Sequence, residues 1–147
     1  MSTIDRVAPV AVSPLIRNYL ITRGEQQHFE SGDVLFREGD RAENLMLIMS
    51  GAVSLEVHLP KEGRVVLQTL GDAELFGWSA ILDPRIETAS ARVIEPSEIV
   101  VMSGKRLMGH AELDPDFGRE LYRVIAEVVA ARLIATRMQV VEMMTDL

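Results

Sequence analysis

A mainly β domain with helices at both ends is the fold class this sequence predicts, and three observations predict it. Between Glu25 and Met102, short runs rich in Val, Ile and Leu are punctuated by glycine turns. Proline-started helical patterns stand before and after that region. A hydrophobic content of 48% and a charged content of 25% over 147 residues are those of one globular domain with a single sizeable core.

The first dozen residues, MSTIDRVAPVAV, have no periodicity and read as a flexible arm over 1–12. One domain is expected over 13–147. Ser13-Pro14 is an N-cap signal with proline at the first helical position, opening a helix over 13–24 that carries Ile16, Tyr19 and Leu20 and stops at Gly24.

The β region spans 25–102. Its turns are SGD (31–33), EGD (38–40), SG (50–51), KEG (61–63) and LGD (70–72), a spacing that suggests a sandwich or barrel. Ala52 to His58 alternates, with Val53, Leu55 and Val57 on one face and Ser54, Glu56 and His58 on the other. Leu45 to Met49 is apolar on both faces, as a strand buried on both sides would be. Strand signals resume at Thr88–Ile94 and Glu98–Met102.

A short helix follows over 104–112. Asp114-Pro115 then caps and starts a long helix over 114–145, about 30 residues or about 45 Å. Leu121, Val124, Val128, Ala131, Ala135 and Met138 recur in steps of three and four, a seam of coiled-coil type. Ile125, Val129, Leu133 and Ile134 form a second face. Either the two make a single wide core-facing stripe, or one face lies on the barrel while the other meets a second copy. Two separable faces on one long helix favour the second reading, a homodimer through this helix.

Composition excludes several functions. Without cysteine there is no disulfide, thiolate zinc site or cysteine-held cluster. No apolar run approaches the ~20 residues of a membrane helix, and no signal pattern opens the chain. A soluble, cytoplasmic protein without a membrane partner is expected. The net charge is −7, and the 15 basic residues are scattered without a stripe, so direct specific DNA binding is not expected. His28, His58 and His110 form neither a helical pair nor a His-x-His pair and read as surface residues, so no metal site is expected. No nucleophile elbow, Walker loop or dinucleotide fingerprint occurs. The chain reads as no enzyme, with no catalytic residues.

LFGWSAILDPRIETASAR (75–92) is the stretch with a functional look. Phe76-Gly77 lets a strand turn sharply, and a helical turn at Ser79–Leu82 would aim N–H groups outward, toward something small. Trp78 and Glu87 stand where a phosphate pocket would prefer neither. A hairpin excursion using glycine only for geometry is the plainer alternative.

A short helix, then SGD.LFREGD (31–40), L.LIMSG.V (45–53) and LG....FGWSAIL (70–82), then a long helix, resembles the cyclic nucleotide-binding domain, and more narrowly the sensor half of catabolite activator/FNR-type regulators. The resemblance covers Gln26 to about Met144. It implies an eight-stranded jelly-roll β-barrel followed by a long helix that makes a parallel homodimer. It also implies a regulatory, signal-transducing role, with a cyclic nucleotide as possible ligand and no other cofactor. In that family the phosphate-binding cassette opens Phe-Gly-Glu, forms a short helix and continues with Arg, Ser or Thr, and Ala. The Glu holds the ribose, and the Arg pairs with the cyclic phosphate.

Carried over, the ligand-binding set is Phe76, Gly77, Trp78, Ser79, Ala80, Arg85, Thr88, Ala89, Ser90 and Thr136. Phe76 and Gly77 match. Trp78 replaces the ribose-binding Glu, and Thr88 falls at the Arg position, followed by Ala89 and Ser90. Pro84-Arg85 matches the family's Pro-Arg only in a second register. In the long helix, ARLIAT (131–136) resembles the base-contacting segment and points to Thr136. Trp78 either plugs the ribose site or stacks on a planar ligand, and Arg85 or Arg92 is left as a substitute cation. The family's regulators continue into a helix-turn-helix domain, for which nothing remains before Leu147. The expectation is a stand-alone sensory or regulatory domain with a degenerate cassette, acting on a separate effector protein. The alternative is a ligand-independent dimeric docking subunit plugged by Trp78.

Overall fold

The structure, a computed structural model, describes residues 10–146. Most of the 1–12 arm lies outside these residues; of its last three, Val10 and Val12 pack against the core. The elements are α1 (Pro14–Arg23), β1 (Glu25–Phe29), β2 (Val34–Phe36), β3 (Asn44–Leu59), β4 (Gly63–Leu70), β5 (Leu75–Phe76), a 3-10 turn (Trp78–Ala80), β6 (Ser90–Ser103), α2 (Gly104–Leu113) and α3 (Pro115–Thr145). Among the described residues no helix is long and apolar enough to cross a membrane.

Among the described residues six strands stand where eight were expected, because two of them run straight through points that read as breaks. Ser50-Gly51, expected as a turn, lies inside the 16-residue β3. There the pairing with β6 slips at Ser50, Ala52 and Val53, opposite Glu95 to Glu98. Gly51 sits at φ 118°, and a Cβ on it would collide with Ser97, so the strand bends here only because the residue is glycine. The two strand signals at 88–94 and 98–102 accordingly merge into one 14-residue β6.

The strands form one antiparallel sheet in the order β1-β6-β3-β4, with β2 on β6 and β5 on β3. It curls around an inner cluster of Met46, Ile48, Val53, Leu55, Phe76, Val93 and Ile99. On the other side, Leu45, Leu47, Val100 and Met102 meet Ile16 and Leu20 of α1, Leu107 of α2 and Phe117, Leu121 and Val124 of α3. Leu45 to Ile48 therefore serve two cores, as an unbroken apolar run requires.

Helix starts follow local chemistry. Asp114 Oδ1 accepts from Phe117 N (3.2 Å) and Ser103 Oγ from Arg106 N (3.3 Å). Ser13 makes no side-chain capping bond, and Pro14 opens α1 without it.

Two readings need correction. The seam residues Leu121, Val124, Val128 and Ala135 face their own domain, Val128 and Ala135 being only 3% and 2% exposed. Ile125, assigned to the second face, is buried with them. Three- and four-residue steps recur on any face of a helix, and only the packing of α1, α2 and the sheet selects this one. His110, expected at the surface, is half-buried and stacks on Tyr19 with ring centroids 4.5 Å apart.

Candidate functional site

The cassette begins where β5 pairs with β3, Leu75 opposite Leu47 and Phe76 opposite Met46. Phe76 is buried and tilts against Phe36, centroids 6.1 Å apart. Gly77 follows at φ 83°, and a Cβ there would lie 2.7 Å from Asn44 O. Only glycine turns the chain this tightly against β3. The 3-10 turn Trp78–Ala80 is closed by Ala80 N donating to Gly77 O (3.1 Å) and Ile81 N to Trp78 O (3.0 Å).

In front of this turn lies a cavity of about 30 Å³ lined by Gly77, Trp78, Ser79, Thr88 and Ala89 together with Phe36, Leu55 and Glu87. Five of the ten expected site residues therefore meet at one place. Ala80 and Arg85 line a different groove, behind the turn. Ser90 Oγ accepts from Glu38 N (2.9 Å) and starts β6. Thr136 is exposed on α3, its hydroxyl donating to Arg132 O (2.9 Å), and is not among the residues lining the cavity.

Neither substitute cation faces the cavity. Arg85 Nε is 3.4 Å from Asp83 Oδ1, and Arg92 Nε is 3.3 Å from Glu56 Oε1. Glu56 itself corrects the alternation read for β3. It is 3% exposed although expected on a polar face, held by Ser54 Oγ (2.5 Å), Arg92 and Arg64 (3.7 Å). Burial of this carboxylate is tolerated because two guanidinium groups compensate it.

Glu87 is the residue that sequence reasoning undervalued. It is 4% exposed, and burial, then the charge of Asp40, push its carboxyl up to about 7. Its backbone is pinned by Glu87 N donating to Asp40 O (2.8 Å) and Gly39 N to Glu87 O (2.8 Å). Where the family places a cation for phosphate, this chain places Thr88 beside a buried carboxyl. The signal available in the sequence was the acidic residue next to the arginine position.

Comparison with known proteins agrees with this frame. The model of the cyclic nucleotide-binding domain matches residues 26–111. Over 120 residues the chain is 28% identical to the CRP-like cAMP-activated global transcriptional regulator of Mycobacterium tuberculosis, covering 82% of this chain and 51% of that protein. The chain thus spans about half the length of the curated relatives it matches at this level. Among solved structures it is similar to a cyclic nucleotide-binding domain from Methylobacillus flagellatus, with a TM-score of 0.77 and 21% identity over 84% of this chain and 70% of that one. It is similar also to the c-di-GMP responsive global regulator CLP of Xanthomonas campestris, with a TM-score of 0.72 and 25% identity over 84% and 60% of the two chains. The six-stranded roll, the glycine-led cassette and the long helix are this fold, and the chain belongs to the cyclic nucleotide-binding domain family.

Proposed function

We propose that this domain is a regulatory, non-catalytic module of cytoplasmic signalling whose cassette is shut to cyclic nucleotides. The observation that carries the reading is the 30 Å³ cavity lined by Trp78 and Glu87. That space suits a water molecule, whereas small-molecule pockets start near ~300 Å³. An anionic phosphate would also have to sit beside a buried carboxyl with no cation in place of the missing arginine, which works against binding. Titration calorimetry with cyclic AMP and cyclic GMP tests this directly. No saturable binding below millimolar concentration is expected, and micromolar affinity for either would overturn the reading.

One observation favours a second reading, a degenerate pocket that opens for another small ligand. Gln68 lies opposite Leu55 on the β3–β4 ladder, and its Oε1 is buried without a hydrogen-bond partner among the described residues. An acceptor left unpaired costs about 1–3 kcal/mol, which a donor on a ligand would recover.

The module works as a homodimer through the outward face of α3, with a separate effector protein as its output and no specific contact to DNA. On that face Leu133, Ile134, Val140, Val141, Met143 and Met144 are exposed, Ile134 at 45% and Val141 at 58%. Ile134, Met138 and Val141 line an apolar groove with Arg137 and Glu142. Ala130, Ile134, Arg137, Val141 and Met144 follow steps of four and three, the pattern a second α3 would match.

A further inference from the structure

Behind the cassette lies a groove of about 440 Å³, larger than the cavity in front of it and within the ordinary range for ligand sites. Three cationic side chains, Arg41, Arg85 and Lys105, line it in a protein whose net charge is −7. Asn44 and Ser103 add polar groups, and among the described residues Glu43 is the one acid lining it. Among the described residues neither Arg41 nor Lys105 has an ion-pair partner, and Arg85 meets only the exposed Asp83. Arg85 Nε is itself buried without a hydrogen bond.

The backbone fixes these cations rather than leaving them to chance. Arg85 adopts φ 59°, a left-handed conformation that is uncommon for a residue with a Cβ. It is held there by Arg85 N donating to Leu82 O (2.9 Å) and Ala42 N donating to Arg85 O (2.8 Å). Arg41 bridges Ile86 in the same local ladder, which brings both arginines to one mouth. Lys105 comes from the first turn of α2, a ten-residue helix whose positive end adds to the field of the three cations. Gly104 N is already used, donating to Glu43 O (2.9 Å), and that bond ties α2 to the wall of the groove.

We infer that this groove binds a phosphate group, with a phosphate monoester or pyrophosphate as the class of ligand. Convergent guanidinium and ammonium groups around a polar cleft suit a multiply charged oxyanion, and arginine suits phosphate bidentately. The site also touches the cassette. Gly104 abuts Ala80 so closely that a Cβ would collide with its carbonyl, and Ala80 lines the groove while Trp78 and Ser79 line the cavity in front. An anion bound behind the turn is therefore read by the turn itself.

The test is titration calorimetry of the intact chain with inorganic phosphate, pyrophosphate and 5′-AMP, repeated with Arg41→Ala and Lys105→Ala. Both positions are exposed, and thermal melts of the two variants serve as the check that they fold. Saturable one-to-one binding is expected, weakened about tenfold or more by each substitution and left unchanged by Arg119→Ala, a cation that does not line the groove. Pyrophosphate binding that exceeds 5′-AMP points to the inorganic ligand, and the reverse order to an organic monoester. Trp78, the chain's single tryptophan, supplies a second readout, and its fluorescence should change with the same midpoint. Absence of saturable heat with all three anions overturns the inference. So does an equal loss from Arg119→Ala, outside the groove lining, which would mark diffuse charge attraction.

Discussion

Arg132 of α3 reaches back to Glu74, the residue that leads into the cassette strand, and the two form a largely buried ion pair at 3.7 Å. Arg132 also donates to Leu75 O (3.3 Å), while Glu74 Oε2 accepts from Gly71 N (2.6 Å). Burial pulls the guanidinium below its usual pKa, and Glu74 opposes that pull. One side chain thus fastens the long helix to the start of the cassette. Arg132→Met should cost about 2–4 kcal/mol in chemical denaturation, because it leaves the Glu74 charge buried. The double change with Glu74→Gln should cost less than Arg132→Met alone. A double loss equal to the sum of the Arg132→Met and Glu74→Gln losses would show that the pair does not interact.

Glu87 gives a pH dependence with a definite sign. Its carboxyl, ordinarily at 4.5, is raised to about 7 by burial and Asp40, so the folded protein holds a proton that the unfolded chain releases. The stabilisation is complete below pH 4.5 and is lost as pH rises through 7, by about 3 kcal/mol at most. Glu87→Gln should flatten that decline and stand above the unmodified protein at pH 8. Denaturation midpoints between pH 4 and 8 decide it; a midpoint that rises over this window for the unmodified chain relative to Glu87→Gln contradicts the raised carboxyl.

Restoring the polar anchors should restore cyclic-nucleotide binding. Trp78→Glu returns an acceptor and removes bulk from the front cavity. Thr88→Arg supplies the phosphate's partner and, beside Glu87, draws that carboxyl into its ionised form. Each anchor is worth about 1.5–3 kcal/mol, roughly tenfold to more than a hundredfold in affinity. Because both act on one ligand, the double variant should gain more than the sum of the singles in calorimetry with cyclic AMP. No gain in the double variant would show that the turn at Gly77 stays closed.

The two faces of α3 predict opposite phenotypes. Ile134→Glu with Val141→Glu places like charges across a symmetric contact and should give a folded monomer by sedimentation. Val128→Glu buries an unpaired carboxylate in the domain's own core and should unfold the chain instead. A folded Val128→Glu protein that is merely monomeric would reverse the assignment of the faces.

The sequence by itself determined the class and order of the fold. Alternating apolar residues, glycine turns and Pro-started helices are local signals, and local geometry reads them directly: α1 and α3 begin at Pro14 and Pro115, and α2 begins at Gly104, the first residue of the 104–112 reading. The cassette's glycine and small residues were legible for the same reason, since the turn at Gly77 depends on its own φ. Tertiary structure decided what depends on partners far along the chain. The strand count fell to six because Gly51 bends against Ser97, 46 residues away, and does not end β3. Glu56 became an interior residue because Arg92 and Arg64 arrive from neighbouring strands. Thr136 and Arg85 were separated from the cavity by the rotation of α3 and the course of the 83–87 loop. Burial and charge compensation are sums over residues brought together by folding, and no local periodicity contains them.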